Sequence, residues 1–309
     1  MEEINENMNL QLSSKYIYLT YLSNDRDYKG ALMLKYMLQK YNSKYNLACI
    51  VLENVSQKIK NILSYNDIIL CEFSLNDILI ELGFNEESRK HLIDKHYYGK
   101  YIIFKLMEYE KIIYLDTDLL LNSSIDELFL LDCNNEEIYM TCDTLMTSEN
   151  NVKFCKNMVN SGVIVFSPNI KIYDYCYNCL KLYETNLNEL STDQTIFNKS
   201  MKTNELNIQY LPYKYNCVWA ITNLLENKIV DEVKIIHFIL SPKPWDYIDC
   251  LIMCHCYSNS SEYILKWIQM YNEMVIEQFH KCFSKNVYRS YNKLFVVSRE
   301  EEIQICGEI

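Results

Sequence analysis

A chain of 309 residues, 49% hydrophobic and 23% charged, is long enough to bury a sizeable core and has the balance of a globular protein. Its formal net charge is −11, and no Lys/Arg cluster is long enough to make a basic patch, which argues against a nucleic-acid partner. An acidic protein that binds an anionic substrate must then supply a metal ion or a few placed lysines.

Tyr16 to Leu22 is a short apolar and aromatic run ending in Ser23-Asn24-Asp25, which predicts a strand and a turn. Gly30 to Tyr41 carries apolar residues at helical spacing. Leu47 to Leu52 and Asp67 to Phe73 read as strands. A helix is predicted from Lys100 to Met107, then a strand over Lys111 to Leu115 that stops at Asp116-Thr117-Asp118. Met158 to Phe166 contains a further strand with Asn160-Ser161-Gly162 near its start, and Val233 to Phe238 is the last clear one. Ser261 to Phe279 reads as a long amphipathic helix. Strands alternating with helices predict an α/β fold on a mostly parallel sheet. The partition expected is a polar leader over 1–15, one domain over 16–250, and a helical C-terminal extension over 251–309 packed on it.

Glycine (5) and proline (4) are scarce, so long flexible linkers are not expected. The 13 cysteines follow no framework spacing, and the acidic start Met1-Glu2-Glu3 lacks a signal-peptide pattern. No apolar run approaches the ~18 residues that span a bilayer. These features predict a cytoplasmic protein with reduced thiols and no membrane insertion.

Asp116-Thr117-Asp118 follows an apolar strand, where ligands bind in open α/β sheets. Two carboxylates at i and i+2 on extended chain project to one side and can hold a divalent cation. A solvated strand-end turn explains the same three residues. Near the far end, His237 could supply an imidazole ligand and Lys243 a cation for phosphates, although a buried core histidine and a rigid proline loop account for them too.

In order along the chain, seven segments resemble family 8 of the retaining glycosyltransferases, its glycogenin-like members above all. They are Asn24-Asp25 with Gly30-Ala31-Leu32, Lys100, Tyr114 to Asp118 with Asn122 and Ile125 to Phe129, Asn160-Ser161-Gly162-Val163, Asp193-Gln194, Leu211-Pro212 with Tyr215-Asn216, and His237-Phe238 with Lys243-Pro244-Trp245. The resemblance implies a single Rossmann-like nucleotide-sugar-binding domain of GT-A type. It implies a hexosyltransferase that moves a hexose, glucose first and galactose as the alternative, from a UDP-sugar to a hydroxyl on a protein, a glycan or a small polyol. Asp116, Asp118 and His237 would hold Mn²⁺, with Mg²⁺ as the alternative. Tyr21, Ser23, Asn24 and Thr117 would meet the nucleotide, and Lys100 and Lys243 its phosphate side. Asp143, Asn160, Ser161 and Gly162 would meet the sugar, with Asp193 and Gln194 nearest the anomeric carbon and Asp193 as the candidate nucleophile.

There are departures from the family pattern. Asp27 falls where a tyrosine stacks on uracil, with Tyr28 adjacent. His91 stands for an arginine, with Arg89 close by, and Leu240 stands for a glycine. The tyrosine that accepts glucose in glycogenin-like members falls at Asn223, so self-glucosylation there is expected to be lost. Cys250, Cys254, His255 and Cys256 match no standard zinc spacing and are read as buried thiols. The apolar stripe of the 261–279 helix is read as core-facing, with a homodimer contact as the alternative. Two other functions compete. An aspartate-nucleophile phosphatase leaves the later motifs unexplained, and a non-catalytic nucleotide-sugar-binding module should have lost the metal ligands.

Overall fold

Strand β1 (Tyr16–Leu22) forms where the sequence places it, with Tyr18, Leu19 and Thr20 fully buried. The computed structural model describes residues 15–146, 152–184, 189, 192–219, 222, 232–248 and 261–290. After β1 the Asn24 side chain caps a short 3₁₀ turn by accepting from the Arg26 N–H, and α1 follows (Tyr28–Lys40). Next come β2 (Asn46–Leu52), α2 (Gln57–Tyr65), β3 (Ile69–Phe73), α3 (Leu75–Glu81) and α4 (Glu86–Lys95). Ser56, Ser74 and Asn85 cap α2, α3 and α4 with side-chain oxygens on backbone N–H groups.

The segment expected as a helix over Lys100 to Met107 is instead a 3₁₀ helix over Tyr97–Lys105. Tyr98 to Phe104 are all buried, so the segment has no polar face to turn to solvent. It threads between the sheet and neighbouring helices, with Phe104 4.6 Å from Phe166 and Tyr101 5.7 Å from Phe197. Burial on every side, rather than along one stripe, leaves an α-helix no particular advantage here.

The remaining elements are β4 (Lys111–Leu115), β5 (Leu119–Leu121), β6 (Glu137–Met146), β7 (Val152–Phe166), α5 (Ile170–Leu182), α6 (Gln194–Thr203), β8 (Asn207–Leu211), β9 (Cys217–Val218), β10 (Ile235–His237) and α7 (Ser261–Ser290). The main sheet runs β3-β2-β1-β4-β7-β6-β8. Its first four strands are parallel, β7 is antiparallel to both neighbours, and β8 is parallel to β6. The strand expected from Met158 begins six residues earlier, at Val152, because it continues as a long ribbon with β6. The last strand is shorter than the Val233 to Phe238 run and lies in a second sheet, β5-β10-β9.

Apolar clusters cover both faces of the main sheet. One joins α1, α2, β5, β10 and α7; the other joins α3, α4, the 3₁₀ segment, α5 and α6. Helix α7 lies against α1 through Lys40–Glu273 (2.6 Å) and Tyr36 to Glu277 (3.0 Å). Trp267, fully buried, sits 5.9 Å from Trp245 and stacks on Tyr271. No helix among the described residues is long and apolar enough to cross a membrane. Asn223 and the Cys250, Cys254, His255, Cys256 group lie outside the described residues.

Candidate metal and nucleotide-sugar site

Strand order reverses between β1 and β4, so their carboxyl ends open a crevice side by side. Leu19 pairs with Tyr114, and two residues further on Tyr21 comes level with Asp116. On the other flank β4 pairs with β7, Leu115 opposite Val163, and the Asp116 N–H donates to the Gly162 carbonyl (2.9 Å). The Phe238 N–H donates to the Asp118 carbonyl (2.9 Å), tying the same turn to the end of β10. Sheet register alone therefore brings together Asp116-Thr117-Asp118, Asn160-Ser161-Gly162 and His237. Helix α1 also reaches in closely, since a Cβ on Gly30 would collide with the Thr117 carbonyl.

Asp116, Asp118 and His237 each offer a ligand atom, all within 4.8 Å of one another. His237 Nε2 lies 3.2 Å from Asp118 Oδ1 and 3.8 Å from Asp116 Oδ2. The imidazole tautomer follows from a chain of amides. The Gly162 N–H can only donate, so it fixes Asn160 Oδ1 as its acceptor (2.9 Å). That oxygen also accepts from Asn216 Nδ2 (2.7 Å), which turns Asn216 Oδ1 toward His237 Nδ1 (2.8 Å). Nδ1 then carries the proton and Nε2 points its lone pair at two carboxylates. Two anionic oxygens and a bare imidazole nitrogen repel one another unless a cation or proton lies among them, and that donor set suits a divalent transition metal.

The two carboxylates divide their oxygens. Asp116 turns Oδ2 toward His237, while Oδ1 meets Lys100 Nζ (2.9 Å) and the Tyr114 hydroxyl (2.6 Å). Asp118 turns Oδ1 toward His237, while Oδ2 is ion-paired with Lys243. Burial opposes ionisation of Asp118, but His237, cationic when a proton rather than a metal sits on Nε2, and Lys243 outweigh it and hold the carboxyl below the usual range. Lys243 Nζ also donates to the Phe238 carbonyl (2.8 Å).

Lys100 extends the network to Asp193. Its Nζ lies 2.5 Å from Asp193 Oδ2 and 4.9 Å from the Tyr114 ring centre. Burial alone would lower the lysine pKa, yet Asp116 and Asp193 raise it above its ordinary value. Ser161 Oγ donates to the same Asp193 oxygen (2.7 Å), and the Tyr101 hydroxyl donates to the Asp193 carbonyl (2.6 Å). Gln194 accepts from the Ser161 N–H (3.3 Å) and donates to Asp143 Oδ2 (3.4 Å). Burial raises the Asp143 pKa, partly offset by the Thr144 N–H and Gln194.

The residues expected at the nucleotide sit on the β1 side. Tyr21 donates to the His96 carbonyl (2.5 Å) and packs on Gly99, where a Cβ would meet its hydroxyl. Ser23 accepts from Asn24 Nδ2 (3.2 Å), while Asn24 Oδ1 is committed to its cap. Burial raises the Asp27 pKa, with Arg26 opposing and Asp118 adding to it. Tyr101 and Asp246 join the network without a sequence signal, since each is an ordinary residue in its own segment, and Tyr114 opens the Tyr114 to Asp118 segment without a role having been assigned to it. Asp246 accepts from the Lys243 N–H (2.8 Å) and from Arg26 Nη2 (3.0 Å), linking the two loops that flank the crevice.

Comparison with known proteins points to one family. The family model described as glycosyl transferase family 8 matches residues 7–249. Galactinol synthase 1 of Solanum lycopersicum is 29% identical over 250 residues, 76% of this chain and 75% of its own. Galactinol synthase 1 of Arabidopsis thaliana is 27% identical over 261 residues, 74% of this chain and 71% of its own. Among solved structures, the galactosyltransferase LgtC with donor and acceptor sugar analogs superposes with a TM-score of 0.55 at 12% identity. That alignment covers 94% of this chain and 99% of LgtC, and it supports a GT-A glycosyltransferase fold.

Proposed function

From the premise that the chain belongs to glycosyl transferase family 8, we propose that it is a metal-dependent, retaining hexosyltransferase that takes a UDP-sugar. The observation that carries the reading is the Asp116–Asp118–His237 cluster, with its imidazole lone pair turned inward at the crevice between β1 and β4. These three residues would hold Mn²⁺, with Mg²⁺ as the alternative, and the ion supplies Lewis-acid neutralisation of the departing diphosphate.

The chain's own groups do the rest. Lys243, beside Asp118, would meet the phosphates, and Tyr21, Ser23, Asn24 and Thr117 would line the nucleotide. Asp193 is fixed through Oδ2 by Lys100 and Ser161, and its carboxylate would act at the anomeric carbon as nucleophile or as stabiliser of positive charge. Asp143, Asn160, Ser161, Gly162 and Gln194 form the rim for the sugar hydroxyls. Galactose is the donor sugar the relatives favour, because the galactinol synthases carry it in their name; glucose is the alternative. The same name puts small polyols first among acceptors.

The test incubates purified protein with Mn²⁺ and a panel of UDP-sugars, with inositols, oligosaccharides or the protein alone as acceptor. UDP release, product mass and intact protein mass are followed. Transfer with at least one donor, abolished in Asp116→Ala with Asp118→Ala, is expected. Binding of UDP without turnover of any donor would favour a binding module instead.

A further inference from the structure

Between His237 and Lys243 the backbone is pinned on both sides. The Phe238 N–H and carbonyl are taken by the Asp118 carbonyl and Lys243 Nζ, and Trp219 Nε1 donates to the Ile239 carbonyl (3.4 Å). Beyond the gap, the Lys243 N–H is held by Asp246, and Pro244 and Trp245 are buried. Leu240 stands in the short span between these pins. Its φ is +67°, in the left-handed region that crowds an L side chain. Seven described residues other than glycine have positive φ. Six are Asn, Asp, His or Glu, and Leu240 is the only aliphatic one. It is also 78% exposed, so no packing within the described chain compensates for the strained backbone.

A strained, solvent-exposed leucine three residues from a metal-cluster histidine and three from the lysine of the same cluster calls for a contact outside the chain. We propose that Leu240 caps the donor, its isobutyl group lying over the diphosphate and sugar-phosphate bond once the nucleotide sugar is bound. The backbone keeps the turn a glycine would make, and the leucine adds apolar cover. The cap rests on the transferase reading. Its role is to hold water away: water that reaches the anomeric carbon adds its oxygen there, gives its proton to solvent and releases UDP with the bonding pair, leaving free sugar. The acceptor hydroxyl, attacking the same carbon, yields the glycoside instead.

The test compares full-length wild type with Leu240→Gly, Leu240→Ala and Leu240→Met, in Mn²⁺ with the donor and acceptor that the wild type uses. Free sugar and glycoside are quantified separately, and thermal melting is recorded. Glycine is at ease at positive φ, so Leu240→Gly is expected to melt at or above the wild-type temperature. Both the glycine and alanine variants should raise the ratio of free sugar to glycoside, on the order of threefold to tenfold, while Leu240→Met holds it. Glycine and alanine variants that partition donor as the wild type does overturn the cap. If the wild type turns over no UDP-sugar, the transferase reading fails separately, and UDP affinity in Mn²⁺ by calorimetry decides the cap. Weaker binding in the glycine and alanine variants alone supports it, and equal binding in all four proteins refutes it.

Discussion

Asn216 is the residue whose loss should best separate metal binding from folding. It is 1% exposed, and its amide holds His237 Nδ1 on one side and Asn160 Oδ1 on the other. Asn216→Ala leaves a buried imidazole N–H without an acceptor and frees the ring to rotate or move its proton to Nε2, where it would block a cation. Removing the partner of a metal-ligating histidine costs about 10–100-fold in metal affinity, which corresponds to about 1.4–2.7 kcal/mol. Stability falls as well, by about 1–3 kcal/mol for each buried group left unpaired. Mn²⁺ affinity measured by calorimetry in the presence of UDP, with melting temperature recorded alongside, tests the argument. Asn216→Asp is the companion variant, since it still accepts from Nδ1 but faces Asn160 Oδ1 with an acceptor. A lowered melting temperature with Mn²⁺ affinity unchanged within about twofold would refute the claim that this amide chain fixes the ligand.

Gly162→Ala should damage the same site from the opposite side: its Cβ would fall on the His237 ring, 2.5 Å from Nδ1, so loss of metal-dependent turnover is expected with the sheet intact by circular dichroism. Asp118 carries a pH signature. Its carboxyl is depressed in the folded state, so its stabilising contribution is present above about pH 4 and is lost as the pH falls through the lower folded value; acid melting curves of wild type and Asp118→Asn should converge there. Trp267→Ala, a fully buried large-to-small change, should cost about 3–5 kcal/mol. Because Trp267 meets Trp245 beside Lys243, it should also raise the donor KM more than it lowers kcat.

Much of this site was legible because its ligands sit where strands end. Ile112 to Leu115 is a continuous apolar run, and its stop at Asp116 is visible without coordinates. The pairing of Asp116 with Gly162 is a different matter, since it depends on β7 running antiparallel beside β4, and the sequence of β7 alone does not state its direction. Direction also explains a misjudged length: β7 extends back to Val152 because β6 accompanies it, a tertiary reason that no local pattern carries. The 3₁₀ segment was misread as an ordinary helix since its apolar residues satisfy helical spacing whichever way the turn closes. Lys100, expected on the phosphate side, is buried between Asp116 and Asp193, neighbours that its own segment does not announce.

The acidic character of the chain poses a problem for any diphosphate ligand, and the division of carboxylate oxygens answers it. Asp116, Asp118 and Asp193 contact Lys100 and Lys243, so the groups in direct contact carry one negative charge more than positive. One oxygen of Asp116 and one of Asp118 already serve a lysine, and the remaining one of each faces His237. A divalent cation could therefore enter without displacing either lysine, and its charge would turn the local excess from negative to positive where the proposed diphosphate would lie. Had both oxygens of Asp118 faced His237, Lys243 would keep only the Phe238 carbonyl. Had both faced Lys243, the cation would lose a ligand. The bidentate split thus makes lysine and metal cooperate on one carboxylate, so Lys243→Met should weaken UDP binding while leaving UDP-free Mn²⁺ affinity nearly intact.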